Sequence, residues 1–165
     1  MWKRNYSSKH VLNAKTIRTR YLEFFINENG HQLVNSSPVA SYFDPSIPFI
    51  NAGMCQFKRV FTGEEKIPYK KVANTQKCIR VGGKHNDLNL VGIDSYHHTF
   101  FEMLGNWSFG AYSKKEACKL AWELLTSAPF NLTPNRLFVT YFQGNEKLNL
   151  PPDEDVKNIW LELGY

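Results

Sequence analysis

Apolar residues recur at helical spacing in three stretches of the chain, and residues that begin or end helices bound each stretch. The first runs from about residue 13 to residue 29 and precedes Gly30, which can adopt the left-handed backbone that ends a helix. Its repeating positions are Ile17, Tyr21, Phe24, Phe25 and Glu28. This spacing predicts an amphipathic helix whose apolar face packs on a core.

Two further helices are predicted in the second half of the chain. One begins at Ser113, because Ser113 and Glu116 have the spacing of a capping box ahead of an apolar stripe. That stripe consists of Ala117, Leu120, Ala121, Leu124 and Leu125. The other begins at Asp153 after a Pro-Pro pair and ends before Gly164. Its stripe consists of Val156, Ile159, Trp160 and Leu163. We expect both stripes to face the core.

Four segments between the helices are rich in β-branched and aromatic residues and are bounded by Gly, Pro or Asn, as is typical of strands. They are residues 49–50, 72–80, 96–104 and 137–142. Helices and strands come in separate runs rather than in strict alternation. This order favours an α+β domain with a largely antiparallel sheet.

Composition indicates one folded unit. The chain has 165 residues, of which 42% are hydrophobic and 15% aromatic, enough for one sizeable core in a single domain or part of a larger one. No apolar run approaches the roughly 18 residues that a membrane-spanning helix needs, so we expect a soluble protein without a membrane partner. The three cysteines are far apart in sequence and contain no Cys-x-x-Cys pair, which makes a disulfide framework and a cysteine zinc site both improbable.

The net charge of +5 is concentrated at the amino terminus. Residues 1–22 hold six basic side chains and no acidic one, while the rest of the chain holds 14 basic and 15 acidic residues. Such a start resembles an organellar transit peptide, although a solvated arm that leads into a helix explains it about equally well. We assign residues 1–12 to a basic leader or arm and residues 13–165 to the domain. Between residues 57 and 85, eight basic residues against two acidic ones indicate a phosphate-bearing partner.

The segments 72–80 and 96–104 read as the two arms of a hairpin, joined by a loop of 15 residues that contains three glycines. A loop of that length is either functional or a flexible surface loop. Alternation is expected to put His98, Phe100 and Glu102 on one face, and we expect Arg80 at the end of the first arm to lie close to His98. Arginine and histidine beside an aromatic face and a Gly-rich loop suit a polyphosphate and a purine ring. Zinc is disfavoured, because the adjacent His97 and His98 point to opposite faces.

Three long sequence motifs in the same region resemble those of a known family. They are NAGMCQFK at residues 51–58, NTQKCIRVGGKHNDL at 74–88 and HHTFFEMLGNWSFG at 97–110. They resemble the amino-terminal part of the catalytic domain of the alanyl-tRNA synthetases, which are class II aminoacyl-tRNA synthetases, and the resemblance runs from about Ile17 to the end. It implies the class II antiparallel sheet, activation of alanine by ATP and Mg²⁺, and transfer of alanine to its tRNA. The organellar branch is the more similar, which favours the mitochondrial matrix, with the cytoplasm as the alternative.

The resemblance also implies roles for individual residues. Arg80 matches an arginine that contacts the α-phosphate, and Lys84 matches a loop lysine associated with activation, so these two are the candidate catalytic residues. Arg80, His98 and Phe100 are the candidate ATP-binding residues, and no metal ligand is assigned.

The chain lacks the third class II motif and the segment that resembles the alanine pocket, so we expect the 165 residues alone to be inactive as a ligase. Two hypotheses stay open. In one, the chain is the front of a full-length alanine ligase. In the other, it is a stand-alone paralogue that serves as a nucleotide-binding, RNA-binding or regulatory module.

Overall fold

The computed structural model describes residues 12–41, 46–81 and 87–164. Its first helix, α1 (Ala14–Glu23), continues as a π-helical turn over Phe24–Glu28. The Asn13 side chain accepts a hydrogen bond from the Thr16 N–H at 2.9 Å, which satisfies one of the free donors of the first turn. Gly30 follows with a φ of +65°, in the left-handed region. The helix predicted over residues 13–29 is therefore confirmed.

A three-stranded sheet lies at the centre of the fold. In chain order its strands are β1 (Gln32–Leu33), β2 (Lys71–Ile79) and β3 (Phe100–Ser108). β1 pairs with β2 in parallel, while β2 and β3 form an antiparallel pair of nine residues each, from Lys71 opposite Ser108 to Ile79 opposite Phe100. Between β1 and β2 lie a 3₁₀ turn at Cys55–Phe57 and the short helix α2 (Lys58–Phe61). The α+β class and the mainly antiparallel sheet are confirmed.

Two longer helices complete the described architecture, namely α3 (Lys114–Thr126) and α4 (Glu154–Glu162). The start of α4 is confirmed, because the Asp153 side chain accepts a hydrogen bond from the Val156 N–H at 3.2 Å. The predicted capping box of α3 is wrong. Ser113 stands at the N-cap with a ψ of −148°, but its side chain makes no capping hydrogen bond there.

The predicted second arm of the hairpin is displaced by four residues. Asp94 accepts hydrogen bonds from the backbone N–H groups of Tyr96 and His97 at 2.9 and 2.8 Å, and its other oxygen lies 2.6 Å from His97 Nδ1. This turn holds residues 94–97 out of the ladder, so β3 begins only at Phe100. His97 and His98 thus precede the strand.

The two remaining strand predictions are wrong or only partly right. At residues 49–50 there is a single antiparallel bridge between Ala40 and Phe49. Residues 137–142 form no strand, and Phe138 is 92% exposed. Their β-branched and aromatic side chains favour a strand only when another strand is available to pair, and none lies beside them in the described parts of the chain.

The core lies between α1, α3 and one face of the sheet, which we call the helix face. Its buried members are Tyr21, Phe24, Phe25, Ala73, Leu120 and Leu124. The stripes predicted for α1 and α3 supply five of these six residues. Both helices are therefore held by burial of their apolar faces rather than by helix propensity alone.

A chain of polar groups runs through this core. His31, only 3% exposed, places Nδ1 at 3.0 Å from the Phe25 carbonyl oxygen, so Nδ1 carries the proton and donates. His31 Nε2 then accepts from the Tyr112 hydroxyl at 2.8 Å, and that oxygen accepts from Asn106 Nδ2 at 3.4 Å. Asn106 Oδ1 in turn accepts from the Tyr21 hydroxyl at 2.9 Å. These bonds tie α1 and the turn after it to β3.

Candidate functional site

Alternation along β3 separates two sets of side chains. Glu102 points to the helix face, where it pairs with Arg18 of α1. Phe101 and Met103 point the other way, and the Met103 sulfur accepts a hydrogen bond from the Gly53 N–H at 3.4 Å. We call this second side the site face. Residues 51–57, which belong to the first of the three sequence motifs given above, cover this face.

Arg80 lies on the site face at the carboxyl end of β2, where its guanidinium is held from three directions. Nε donates a hydrogen bond to the Asn51 carbonyl oxygen at 3.0 Å. The guanidinium carbon lies 5.3 Å from the centre of the Phe101 ring, and Nη1 lies 3.6 Å from Asp87 Oδ2. The carbonyl and the ring orient the group, while the contact with Asp87 is longer than a hydrogen bond. The guanidinium N–H groups that do not bond to Asn51 can therefore exchange the Asp87 carboxylate for an anionic ligand.

The aromatic ring beside the Arg80 guanidinium is that of Phe101, whereas Phe100 was the candidate ATP-binding aromatic residue predicted from the sequence. The ladder pairs Ile79 with Phe100, and the Arg80 N–H donates to the Thr99 carbonyl oxygen at 3.0 Å, so Arg80 stands opposite Thr99. Residues opposite each other in an antiparallel pair share a face, and the next residue of β3 on that face is Phe101. Phe100 is 58% exposed and points to the helix face.

The structure says less about the other predicted site residues. His98 is exposed and lies two residues before β3, and the side-chain contacts of Arg80 come from Asn51, Phe101 and Asp87 instead. Lys84 lies outside the described residues. His97 is held in the turn by Asp94, and hydrogen bonds from His97 and Tyr96 lower the pKa of that carboxyl to about 2.

Asn51 and Asp87 were not identified as site residues from the sequence. Asn51 acts through its backbone carbonyl, which carries no side-chain signature. Asp87 belongs to the long glycine-containing loop, and its acidic side chain opposite a candidate phosphate-binding arginine was the available signal.

The floor of the site face is built of buried groups that have little freedom to react. Gln76, fully buried, is fixed by hydrogen bonds with the backbone N–H and carbonyl oxygen of Ser37, both at 2.9 Å. Cys78 is also fully buried, and burial raises the pKa of its thiol to about 11, so it stays protonated at neutral pH. The face therefore suits binding and orientation rather than attack by a protein nucleophile.

A polar cavity of about 540 Å³ adjoins this site. Its lining includes Cys55, Lys58 and Arg59, and Cys55 connects it to the site because its sulfur lies 3.3 Å from Asn51 Oδ1. Arg59 pairs with Glu64 at 3.7 Å and with Glu65 at 4.0 Å, and both carboxylates also line the cavity, so part of the basic excess predicted for this region is balanced locally.

Two further properties of the described residues bear on the site. Within residues 12–41, 46–81 and 87–164, no group of three or more His, Cys, Asp or Glu side chains is arranged to hold a metal ion. None of the helices in the same ranges is long and apolar enough to cross a membrane.

Comparison with known proteins gives one family and many relatives. The family model described as tRNA synthetases class II (A) matches residues 16–165. The chain is 55% identical to the mitochondrial alanine–tRNA ligase of Drosophila melanogaster over 157 residues, which cover 95% of this chain and 15% of the relative. It is 49% identical to the mitochondrial alanine–tRNA ligase of Rattus norvegicus, covering 99% of this chain and 17% of the relative. It is 53% identical to the cytoplasmic alanine–tRNA ligase of Bombyx mori, covering 93% and 16%. The chain thus spans 15% to 17% of the length of these relatives.

Proposed function

Since the chain belongs to the class II tRNA synthetases, we propose that it forms part of the catalytic domain of an alanine–tRNA ligase. The proposed substrates are alanine, ATP and the tRNA for alanine. The reaction joins alanine to AMP as an adenylate, releases pyrophosphate and then transfers the alanyl group to the tRNA. Proteins that carry the names of alanine–tRNA ligases, at about half identity over most of this chain, support the proposal.

The observation that carries the proposal is the fixed guanidinium of Arg80. In adenylate formation an oxygen of the alanine carboxylate forms a bond to the α-phosphorus while the bond from that phosphorus to pyrophosphate breaks. Negative charge builds on the non-bridging oxygens during this exchange. A guanidinium already oriented by the Asn51 carbonyl and the Phe101 ring stabilises that charge without having to reorganise. It therefore favours the transition state more than the ground state.

The remaining site residues receive proposed roles in ATP binding. We assign the aromatic contact beside the phosphates to Phe101 in place of Phe100, because Phe101 shares the face and the ring contact with Arg80. His98 and Lys84 are retained as proposed contacts to ATP on the strength of the resemblance. Little acid or base catalysis is required of any of them, because bringing two substrates into register supplies much of the rate.

Mg²⁺ is proposed to enter with ATP, bound by the phosphate oxygens of the substrate. When bound there, the ion neutralises phosphate charge.

A mitochondrial location is proposed from the basic amino-terminal segment, although both mitochondrial and cytoplasmic ligases occur among the relatives. Three of the six basic residues in that segment, Lys15, Arg18 and Arg20, lie in α1. Arg18 pairs with Glu102, and Arg20 lies 3.2 Å from Glu23. The proposal therefore rests on the three basic residues ahead of α1, which are Lys3, Arg4 and Lys9.

Nucleotide binding by the chain itself tests the proposed function. Titration of ATP and Mg²⁺ into the purified chain, followed by NMR, should shift signals of residues around Arg80 and Phe101. Arg80→Ala should abolish these shifts, whereas Arg136→Ala, at the end of a 3₁₀ turn, should leave them unchanged. Binding that survives in Arg80→Ala would contradict the assigned site. We expect no alanine-dependent pyrophosphate exchange from the 165 residues alone.

A full-length protein that contains this chain separates the ligase from the alternative module. Alanine-dependent exchange that requires Arg80 supports the ligase. ATP binding without exchange in the full-length protein supports a module that has kept only the nucleotide site.

A further inference from the structure

Arg18 and Glu102 form a bidentate ion pair between α1 and β3. Arg18 Nη2 donates to Glu102 Oε2 at 2.6 Å, and Nε of the same guanidinium donates to Oε1. The two residues are 84 positions apart in sequence. The hydrogen bond from Arg18, with a further one from Thr75, lowers the pKa of Glu102, so the pair is ionised at neutral pH. A planar fork that meets both carboxylate oxygens fixes the direction of the carboxylate as well as its distance.

The position of this pair along β3 is what gives it significance. Core contacts and the Tyr21–Asn106 hydrogen bond hold β3 from Leu104 onward. Near the start of the strand the core is absent, as shown by the 58% exposure of Phe100. Among the described residues no strand pairs with the second edge of β3. The first residues of β3 are therefore held by the ladder to β2, by Arg18 on the helix face and by the contact of Met103 with Gly53 on the site face.

The residue before Glu102 is Phe101, whose ring lies against the Arg80 guanidinium on the other side of the sheet. Neighbouring residues of a strand share a peptide unit, so a shift or twist of the backbone at Glu102 moves the Phe101 ring. We propose that Arg18 is a positioning residue, which acts through Glu102 and Phe101 to hold the Arg80 guanidinium in place. The inference depends on the proposed function only in taking the ligand of Arg80 to be the phosphate of ATP.

The test uses two substitutions that loosen α1 from β3 at different points. Arg18→Gln removes the ion pair beside Phe101. Tyr21→Phe removes the hydrogen bond to Asn106, four residues further along β3, and serves as the matched control. Arg18 is 39% exposed on its side chain, so its substitution is compatible with folding. Urea unfolding of both variants measures how much each one destabilises the chain.

The first readout needs no ligand. In the chain without ATP, the Arg80 Nε–H group donates to the Asn51 carbonyl oxygen, and the guanidinium lies against the Phe101 ring. The NMR signal of the Nε–H proton therefore reports the position of the guanidinium. Arg18→Gln should move this signal toward that of a free arginine and speed its exchange with water. Tyr21→Phe should leave it in place. An unchanged signal in Arg18→Gln, or an equal change in both variants, would overturn the inference.

The second readout is the affinity for ATP. Arg18→Gln should weaken binding roughly three- to tenfold, a fraction of one charge-assisted contact, and Glu102→Gln should do the same. The double substitution should be no worse than either single one, because both remove one interaction. If the wild-type chain does not bind ATP, the proposed function fails, while the Arg80 signal still decides the inference. Additive losses would mean that the two side chains act separately and would refute it.

Discussion

Removal of the Tyr112 hydroxyl by Tyr112→Phe should destabilise the fold by about 2 kcal/mol, while leaving its shape intact. The substitution takes away the donor at 2.8 Å from His31 Nε2 and the acceptor of Asn106 Nδ2. A buried group left without its partner costs roughly 1–3 kcal/mol. The bond to His31 dominates, because His31 is 3% exposed and water cannot easily replace the hydroxyl, whereas the 3.4 Å bond to Asn106 is weak already.

The same network predicts how stability depends on pH. Burial lowers the pKa of His31 below its usual value, the Lys71 ammonium adds to this, and the carbonyl of Phe25 opposes it in part. The unfolded chain therefore takes up the proton at a higher pH than the folded chain does. Stability should be level above about pH 6.5, the ordinary value for histidine, and should fall as the pH drops below it.

Urea unfolding at pH 8 and at steps between pH 6.5 and 5 measures both effects. His31→Gln is the control, because it should flatten the pH dependence in that interval. The interval avoids the carboxyl groups, whose ordinary values lie lower. If Tyr112→Phe unfolds at the wild-type urea concentration at pH 8, the hydroxyl makes no net contribution. If the wild type and His31→Gln change in stability by the same amount between pH 6.5 and 5, the neutral His31 inferred here is wrong, because the His97–Asp94 pair is common to both.

Three further predictions concern the site, its floor and the amino terminus. In a full-length ligase, Arg80→Ala should slow alanine-dependent pyrophosphate exchange by roughly 2.7 to 4 kcal/mol of activation free energy, and Arg80→Lys should restore little because an ammonium lacks the fork; near-normal exchange in Arg80→Ala would refute the role. Gly105→Ala should lower the unfolding free energy by about 1–3 kcal/mol, since its Cβ would lie 2.8 Å from Trp107 Cζ2 and 3.0 Å from Asn74 Oδ1, and an unchanged thermal midpoint would contradict this packing. Residues 1–30 fused to a fluorescent protein should direct it to mitochondria, and a diffuse cytosolic signal would count against import.

Local signals in the sequence were sufficient for α1, α3 and α4, but not for the short helix α2. Gly30 and Asp153 mark helix boundaries through their own backbone and side chain, and both act as predicted. The start of β3 was misplaced because a single side chain, Asp94, captures the backbone ahead of it, and this competes with the β propensity of residues 96–99. Residues 137–142 have strand propensity without a strand beside them in the described parts of the chain, and propensity cannot supply a partner.

The candidate site could be predicted only in part for a related reason. Arg80 was identified as a candidate because it ends the first arm of the predicted hairpin and lies within a recognisable sequence motif. Its orienting groups come from other parts of the chain, and one of them is a main-chain carbonyl. Choosing between Phe100 and Phe101 required the register of the ladder, because a shift of one residue reverses the face of every side chain.

The use of Arg18 inside the fold sets a limit on how the amino terminus can be processed. Asn13 caps α1 and Arg18 holds the start of β3, so both belong to the folded domain although they lie in the basic stretch of residues 1–22 that resembles a transit peptide. If the protein is imported and trimmed, as a mitochondrial location would require, the cut should fall ahead of Asn13. A later cut would remove the first turn of α1 and then the Arg18–Glu102 pair beside the site. Determining the amino-terminal residue of the mature protein would therefore show whether any cleavage leaves Asn13 and Arg18 in place.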